Sequence, residues 1–405
     1  MKMALLDSFK RSTLAHLLLA INFFLSGLAI NFGQAILWVG VRPFSRYWYR
    51  KVNQYLCYSL NCQFVFLAEW WSGSEIILYI DQESLKKYYG KEHGYLIMNH
   101  SYEIDWLMGF VLCERVQVLG NCKAIAKKAI QFVPTVGWSW KFAEAVFLQR
   151  NWDKDRNIIG KQITELLDHP DPIFLLLFAE GTRFTKEKHV TSLKFAEDNG
   201  LPILKHHLTP RVKGFTTSVS FMRNKPVALY DVTICMKESD PVAPTITSLL
   251  NGKHVEAHMY MQRIPVEEVP DNDEAAAKWL HDLYVKKDKM VDSFKQTGSF
   301  FETSGEPPLK PFTLPRRWYS LLNTTGWALV TIPSVFYVLI SLLFSGSLYY
   351  CLFGILLVAL IGYLFYLLIG LTKINKSSSY GKSNGKLNGK SNGESNGTTH
   401  NHKIE

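Results

Sequence analysis

Between residues 94 and 236, short apolar runs alternate with segments whose apolar residues recur at helical spacing. The helical pattern is clearest from Trp152 to Leu167. The apolar runs, each of which predicts a buried strand, are YLIM at 95–98, RVQVLG at 115–120, AVFLQR at 145–150, PIFLLLFAEG at 172–181 and PVALYDVTICM at 226–236. This alternation predicts the α/β class, a mixed sheet flanked by helices, in which functional side chains gather where strands end.

Regular patterns also flank this central region. The stretch from Trp48 to Ile80 predicts a surface helix followed by the strand EIILYI. Downstream, Lys253 to Val266 alternates like an edge strand, and Glu274 to Phe294 has the apolar stripe of an amphipathic helix that packs on the domain. The Gly- and Pro-rich segment GEPPLKPFTLPRR (305–317) predicts a linker.

The stretch from Leu14 to Gly40 is apolar enough to enter a membrane, and basic residues stand on both sides of it. Basic flanks at both ends argue against a single crossing. Polar or small residues interrupt the stretch at Asn22, Gly27, Asn31, Gly33 and Gln34. This pattern favours two short helices that dip into one leaflet and return. The alternative is a secretory signal peptide, but the stretch is too long and lacks a small-residue cleavage site.

A second apolar region near the C-terminus contains two stretches, Trp327 to Phe344 and Leu348 to Ile369, each long enough to span a bilayer. Only the tripeptide SGS separates them, and basic residues flank both outer ends. We therefore predict a transmembrane hairpin whose outer ends lie on the cytosolic side. The tail from Ser377 repeats SNG and LNG units, has almost nothing to bury, and is expected to be disordered.

These patterns divide the chain into four parts. We predict a membrane-embedded helix pair over 1–45, a cytosol-facing α/β domain over 46–310, the transmembrane hairpin over 311–372, and the low-complexity tail over 373–405.

Composition narrows the range of partners. The 405 residues are 47% hydrophobic and carry a formal charge of +10, which suits an anionic membrane surface, a phosphorylated ligand or nucleic acid. No zinc-finger spacing, RNA-binding aromatic motif or compact basic tail occurs, so nucleic acid is not expected. The six cysteines are scattered without metal-ligand spacing and predict reduced packing residues on the cytosolic side. We expect neither a metal nor a cofactor.

The stretch YLIMNHSYEIDWLMGF (95–110) places a histidine between a predicted strand and a predicted helix, for which Ser101 is a candidate N-cap. Asp105 can bind one imidazole nitrogen of His100 and leave the other free to accept a proton from a bound hydroxyl. Because no nucleophile from the protein completes this pair, the attacking alcohol would belong to the substrate. Taken alone, such a pair is more often structural, so it needs supporting residues.

Cations follow the ends of neighbouring predicted strands. FAEGTRF (178–184) ends a buried strand with an acid, a glycine and Arg183, whose guanidinium can bind phosphate through two parallel hydrogen bonds. Arg150 ends AVFLQR, and Lys127 and Lys128 precede AIQFVPTVGW. Each could be an ordinary surface charge. Together with His100 they predict a pocket for a phosphorylated alcohol.

These motifs resemble the conserved blocks of the glycerolipid acyltransferases. NHSYEID resembles their His-x4-Asp block, VFLQR their second block, AEGTRF their EGTR block, and LPILKHHLTPRVKGF (201–215) their fourth. Order and spacing also agree, and the resemblance, which is strongest to 1-acylglycerol-3-phosphate O-acyltransferases of the gamma type, extends over nearly the whole chain. The departures are Leu148, Gln149, Thr209 and Val212, which bear on acyl-chain preference.

The resemblance implies a role for each matching residue. His100 would be the general base and Asp105 would orient it. Arg183, with Lys128 and Arg150, would bind the acceptor phosphate. The remaining residues implied at the substrate site are Glu180, which would order Arg183 or bind the glycerol, Gly181, Thr182, and Pro210, which would shape the acyl site. Backbone N–H groups at the start of the helix after Ser101 are our own candidates for stabilising the oxyanion.

The resemblance also implies an activity. The protein is expected to move an acyl group from acyl-CoA, a co-substrate, to the sn-2 hydroxyl of lysophosphatidic acid, giving phosphatidic acid without a covalent enzyme intermediate. It would act in the endoplasmic reticulum membrane, with the Golgi or nuclear envelope as further sites. One alternative is an acyltransferase for lysophosphatidylinositol or lysophosphatidylcholine. A different class is a non-catalytic membrane-shaping or scaffold protein.

Overall fold

The computed structural model describes residues 2–149 and 152–372. Arg150 and the predicted disordered tail lie outside the described residues. The described strands are β1 (Glu75–Tyr79), β2 (His93–Met98), β3 (Cys122–Lys127), β4 (Val146–Leu148), β5 (Phe174–Leu177), β6 (Val227–Met236) and β7 (Glu256–Pro265). The described helices are α1 (Lys2–Lys10), α2 (Thr13–Gly40), α3 (Arg46–Phe66), α4 (Gln82–Tyr88), α5 (Asp105–Arg115), α6 (Val136–Phe142), α7 (Trp152–Leu167), α8 (Lys186–Asp198), α9 (Val212–Met222), α10 (Ile246–Leu250), α11 (Asp273–Thr297), α12 (Tyr319–Leu343) and α13 (Leu348–Thr372).

The strands form one mixed sheet in the order β1-β7-β6-β2-β5-β3-β4. The last five strands of this order all run in the same direction, whereas β7 is antiparallel to β6 and carries β1 parallel to itself. The carboxyl ends of β2, β3, β4, β5 and β6 therefore meet at one edge of the sheet. The predicted α/β class, with a mixed sheet and flanking helices, is confirmed.

Helices cover both faces of the sheet. Successive side chains of a strand point to opposite faces, so Leu96 and Met98 of β2 enter a core built mainly with α3, α5 and α10, whereas Tyr95 and Ile97 enter a second core built with α7, α9 and α11. Because β2 is covered on both faces, its residues form the continuous apolar run that predicted a buried strand.

Two local predictions are wrong. RVQVLG is not a strand, since Arg115 ends α5, Gln117 reverses the chain with a φ of 67°, and the strand begins only at Cys122. The strand β7 is not at an edge, because β1 and β6 pair with it on its two sides. The segment 305–317 connects α11 to α12 without a helix or strand of its own, as predicted for a linker, and Phe312 within it exchanges two backbone hydrogen bonds with Leu78 of the edge strand β1.

The N-terminal apolar stretch is one continuous helix, α2, and the prediction of two short helices within it is wrong. Its polar residues do not break the helix, because their side-chain N–H groups find acceptors on neighbouring segments. Side-chain amides donate across the packing surface from Asn22 to Gln63, from Asn31 to the carbonyl of Thr135, and from Gln34 to Asn53. A polar residue in an apolar helix can thus indicate a neighbouring helix rather than a turn.

The C-terminal helices α12 and α13 are separated by residues 344–347, as predicted for a helical hairpin. The start of α12 is tied to α3, where the indole of Trp327 and the amide of Asn323 both donate to Ser59. Among the described residues, two helical segments are long and apolar enough to cross a bilayer, Thr13–Gly40 and Tyr319–Leu342, judged by length and composition alone. The first is 39% buried within the protein over its most apolar window and the second only 6%.

Candidate active site

The sequence motifs meet at the edge of the sheet where the five co-directional strands end. His100 follows β2, the residues Glu180 to Arg183 follow β5, and Lys128 follows β3. Parallel strands are the reason for this convergence, because their carboxyl ends necessarily lie side by side. The fold therefore gathers residues that are as much as 83 positions apart in the chain, from His100 to Arg183.

His100 and Asp105 form a hydrogen-bonded pair, with 3.1 Å between Nδ1 of the imidazole and Oδ2 of the carboxylate. The same oxygen accepts the backbone N–H groups of Ser101 (2.7 Å) and Tyr102 (2.8 Å). Burial raises the pKa of Asp105, and these hydrogen bonds oppose the rise. The carboxylate is completely buried, whereas 18% of the His100 side chain is exposed, which leaves an accessible ring edge.

The short loop between His100 and Asp105 corrects one sequence expectation and narrows a second. Ser101 does not cap the helix, because α5 begins only at Asp105. The N–H groups of Ser101 and Tyr102 donate to the Asp105 carboxylate, so these two groups are not free to bind an oxyanion. The loop is a turn closed around Asp105, and its geometry fixes the carboxylate relative to the imidazole.

Glu180 is completely buried and joins two backbone segments. Its Oε1 accepts the N–H of His100 at 2.8 Å, and its Oε2 accepts the N–H of Leu208 at 3.1 Å. Burial raises the pKa of Glu180 to about 8, while the two N–H groups and the more distant charge of Lys287 oppose the rise. This geometry favours a role in holding the His100 backbone over either expected role, ordering Arg183 or binding glycerol.

The rest of the EGTR segment is a tight turn. Gly181 has a φ of 72°, and a Cβ at this position would lie 2.9 Å from the side chain of Arg211, so only glycine fits without displacing it. The ammonium of Lys188 donates to the Thr182 hydroxyl at 2.9 Å and to the Arg183 carbonyl at 3.1 Å, which fixes the turn from beneath.

Arg183 lies beside the catalytic loop. Its guanidinium is 3.9 Å from the carboxylate of Glu103, which stands between His100 and Asp105 in the chain, and 17% of its side chain is exposed. Lys128 is exposed at the start of a short 3₁₀ helix, Lys128–Phe132. The remaining predicted residue, Pro210, is buried, and the next residue along the chain donates its N–H to the carbonyl of Ala179.

Sequence reasoning missed three residues that shape the site. The ring of Phe178 stacks on the His100 imidazole, with 4.1 Å between centroids, and Glu103 pairs with Arg183. Both lie inside the quoted motifs, so their proximity could have been suspected. Lys287 of α11 lies beneath the end of β2, and its only sequence signal is a charged residue on the apolar face of an amphipathic helix.

The arrangement combines an oriented imidazole, an adjacent arginine and a partly exposed approach. A histidine whose Nδ1 donates to a buried carboxylate presents Nε2 as a proton acceptor, which is the geometry of a general base. The neighbouring guanidinium can bind an anionic group of a ligand. In residues 2–149 and 152–372, no group of three or more His, Cys, Asp or Glu side chains is arranged to hold a metal ion. The fold and the site together define an enzyme of the α/β class in which a histidine base and an arginine can act on the hydroxyl of an anionic substrate.

Comparisons with known proteins identify the family. The family model described as Acyltransferase matches residues 77–236, and the one described as Acyltransferase C-terminus matches residues 248–327. The human 1-acyl-sn-glycerol-3-phosphate acyltransferase gamma is 40% identical over 385 residues, which cover 94% of this chain and 98% of that protein. The rat delta enzyme is 39% identical over 379 residues, covering 94% and 97%, and the human delta enzyme is 40% identical over 380 residues, covering 93% and 96%.

The chain therefore belongs to the 1-acyl-sn-glycerol-3-phosphate acyltransferase family, as the resemblance of its motifs indicated, and is an enzyme of that class. Relatives of the gamma and delta types match at nearly the same identity. A crystal structure of the 1-acyl-sn-glycerophosphate acyltransferase PlsC from Thermotoga maritima gives a TM-score of 0.42 at 15% identity, covering 70% of this chain and 98% of that chain. That score is too low to support an inference about this chain.

Proposed function

We propose that this protein transfers an acyl group from acyl-CoA to the sn-2 hydroxyl of 1-acylglycerol-3-phosphate, with His100 as the general base. The names of the relatives support this acceptor. The observation that carries the mechanism is the contact between His100 Nδ1 and the buried Asp105 carboxylate, because it fixes the tautomer in which Nε2 can accept a proton.

In the proposed reaction, His100 first accepts a proton from the acceptor hydroxyl and later donates it to the leaving thiolate. Nε2 of His100 takes the proton of the acceptor hydroxyl while the hydroxyl oxygen attacks the thioester carbonyl carbon. The carbon–sulfur bond then breaks, and the imidazolium returns the proton to the departing CoA thiolate. Asp105 stabilises the imidazolium through its hydrogen bond to Nδ1. No metal and no covalent enzyme intermediate takes part in this scheme, and acyl-CoA is a co-substrate.

Arg183 is the proposed site for the acceptor phosphate, with Lys128 and Arg150 as further cations. The position of Arg183 beside the loop between His100 and Asp105 supports this assignment. A phosphate monoester carries between one and two negative charges near neutral pH, whereas the diester of a headgroup lysolipid carries one. Arg183 should therefore contribute more to binding lysophosphatidic acid than to binding lysophosphatidylinositol.

Replacing Arg183 with lysine tests this choice of acceptor. The variant keeps the charge but loses the two parallel hydrogen bonds that a guanidinium makes. We expect kcat/KM for lysophosphatidic acid to fall about tenfold to a hundredfold, corresponding to roughly 1.5 to 3 kcal/mol for hydrogen bonds to a charged group. The loss on lysophosphatidylinositol should be smaller. Steady-state assays of the purified protein in detergent with both acceptors measure the difference.

A matched control is Arg46→Lys, which alters an ion pair at the surface between Arg46 of α3 and Glu165 of α7 and should leave both rates unchanged. Equal losses on the two acceptors in Arg183→Lys would assign the guanidinium to the fold or to the CoA phosphates. A wild-type protein that prefers lysophosphatidylinositol would make the second enzyme function the correct one. Absence of acyl transfer to any lysolipid would favour the non-catalytic scaffold.

We further propose that the enzyme lies in the endoplasmic reticulum membrane, or in the Golgi or nuclear envelope, with its α/β domain facing the cytosol. The basic residues that flank the apolar segments on both sides support this orientation. Epitope tags after Lys2 and after Glu405 should both be accessible to antibody when only the plasma membrane is permeabilised. Protection of either tag would rule out the proposed orientation.

A further inference from the structure

Lys287 is a buried cation near the candidate active site, and it lies in the region that matches the Acyltransferase C-terminus model. Lys287 of α11 is completely buried, and its ammonium forms an ion pair with Asp231 of β6, which is also completely buried. Isolated charges are costly to bury, so such a pair is retained only when its geometry satisfies both groups or serves another purpose. The surroundings of Lys287 indicate that purpose.

The same ammonium binds two neighbouring strands, β2 near its end and β6 at its middle. It donates to the carbonyl of Ile97 on β2 at 3.0 Å and to the carbonyl of Val232 on β6 at 2.7 Å. Ile97 stands three residues before His100. Immediately after this point, the side chain of Asn99 replaces the backbone in the ladder, donating to Ile234 and accepting its N–H. Lys287 therefore holds β2 at the position where the chain leaves the sheet towards the catalytic loop.

The neighbouring residue in α11 holds a second segment that converges on the same site. The Asp288 carboxylate accepts the backbone N–H groups of Lys205 and His206, both at 2.7 Å, and Nδ1 of His207 at 2.9 Å. The next residue, Leu208, donates its N–H to Glu180. Two adjacent residues of one helix thus hold the two backbone segments whose N–H groups meet at the Glu180 carboxylate.

We propose that Lys287 is a positioning residue for His100, acting through the end of β2 and through the charge of Glu180. This inference rests on the proposed function, in which His100 is the base. The ionised carboxylate of Glu180 can accept both the His100 and the Leu208 N–H, whereas a protonated carboxyl would turn a hydroxyl towards one of them. Burial raises the pKa of Glu180 to about 8, so only part of this carboxyl is ionised near neutral pH, and the charge of Lys287 increases the ionised part that keeps the hydrogen bond to the His100 backbone.

The charges around Glu180 make this role visible in a pH profile. Glu180 is faced by Asp105 of α5, by Lys287 of α11, and by the N–H groups of His100 and Leu208. Asp105 raises the pKa of Glu180 and Lys287 lowers it. Removing the ammonium should therefore raise this pKa, so that Glu180 binds its proton at a higher pH. The acid limb of the kcat/KM profile should then move to higher pH.

The test compares Lys287→Met with the double variant Asp231→Asn, Lys287→Met. The single variant leaves Asp231 buried without its counter-ion and can unfold for that reason alone. The double variant removes both charges, a change that buried ion pairs often tolerate. We expect the double variant to fold but to lose about tenfold to a hundredfold in kcat, the range for hydrogen bonds from a charged group. Its KM for lysophosphatidic acid should stay unchanged, and its acid limb should move upward.

Lys286→Met is the matched control, since Lys286 is adjacent in α11 but pairs with Glu306 and Gln262 at the partly exposed side of the helix. It should not change kcat or the pH profile. A folded double variant with wild-type kcat and an unmoved acid limb would reduce Lys287 to a counter-ion for Asp231. A double variant that cannot fold would also overturn the inference, because the pair would then be needed for the fold itself. If the wild type itself fails to acylate lysophosphatidic acid, the proposed function is what fails.

Discussion

The sheet edge around His100 and the face of α2 that packs on α3 both bury polar side chains, but their groups differ in charge. At the sheet edge, a charged cluster comprises Asp105, Glu180, Asp231 and Lys287. On α2, an amide cluster comprises Asn22, Asn31 and Gln34 with their partners Asn53 and Gln63 on α3. Burial raises the pKa values of Asp105 and Glu180 and lowers that of Lys287, so it favours the neutral form of all three groups. The amides have no charge to lose.

This difference separates chemistry from packing. Buried charges are expensive, and at the sheet edge they lie around the His100 imidazole, which the buried Asp105 carboxylate orients for proton transfer. Neutral amides that satisfy one another hold helices in register at lower cost and need no further function. Changes in the charged cluster should therefore alter activity and pH dependence, whereas changes in the amide cluster should alter stability alone.

The largest expected effect is the loss of the base. His100→Ala removes the proton acceptor, so turnover with lysophosphatidic acid and acyl-CoA should fall by about two to four orders of magnitude, the usual contribution of general-base catalysis. The free energy of unfolding should change little. Enzyme assays and denaturant unfolding of the purified protein in detergent measure both quantities.

The control for this prediction is His254→Ala. His254 is exposed, and its imidazole is hydrogen-bonded to the carbonyl of Gly73, far from the catalytic loop in the chain. Its turnover should match the wild type. Near-normal turnover in a folded His100→Ala protein would contradict the assignment of the base. The charged cluster would then have no shown link to catalysis, and it would not differ from the amide cluster in function.

The placement of the site was predictable from the sequence, but the hydrogen bonds within it were not. His100, Glu180 and Arg183 follow apolar runs, and parallel strands bring such positions together. The partners of Glu180 could not be read in the same way, because they are backbone groups at residues 100 and 208. Lys287 did carry a signal, since it continues the buried stripe of Leu280, Tyr284 and Val291 at helical spacing.

The course of α2 was not predictable from its own residues. Its polar side chains predict interruptions, but each donates to a partner on a segment whose position only the tertiary fold defines. Apolar length alone cannot distinguish α2 from α12, which passes the same test with a far smaller buried fraction. The local sequence predicts that a segment is a helix, but the elements packed against the helix determine which of its faces is buried in the protein.

The second prediction concerns pH and separates the clusters by charge. In the folded protein, the pKa of Glu180 is about 8, above its ordinary value of 4.5. Folding therefore favours the protonated form, and the stability that Glu180 contributes is complete below about pH 4.5 and is lost as the pH rises through about 8. The stability of the wild type relative to Glu180→Gln should fall by a few kcal/mol between pH 5 and pH 8.5. Denaturant unfolding at the two pH values measures this change.

Gln34→Leu is the uncharged counterpart from the amide cluster. It leaves the acceptor oxygen of Asn53 without the Gln34 amide, so it should cost about 1 to 3 kcal/mol of stability. That cost should be the same at both pH values, because no group that it contacts titrates in this range. A relative stability of Glu180→Gln that does not vary with pH would mean that Glu180 stays ionised throughout, and the contrast between the clusters would be lost.

The smallest predicted effect lies where α12 meets the amide cluster. The hydroxyl of Thr331 donates to Oδ1 of Asn22 at 2.8 Å, so Thr331→Val, which keeps the side-chain shape, should cost about 0.5 to 1.5 kcal/mol, the net value of one hydrogen bond. Thr324 on the same helix is equally buried, but its hydroxyl oxygen has no hydrogen-bond partner in the described part of the chain. Thr324→Val should therefore be neutral or stabilising, because it removes a buried polar group that nothing satisfies. Equal destabilisation of the two variants in thermal unfolding would show that hydrogen bonding to Asn22 does not hold α12 against α2. A loss for Thr331→Val alone, with unchanged turnover, would assign this contact to helix packing and keep it apart from the chemistry at His100.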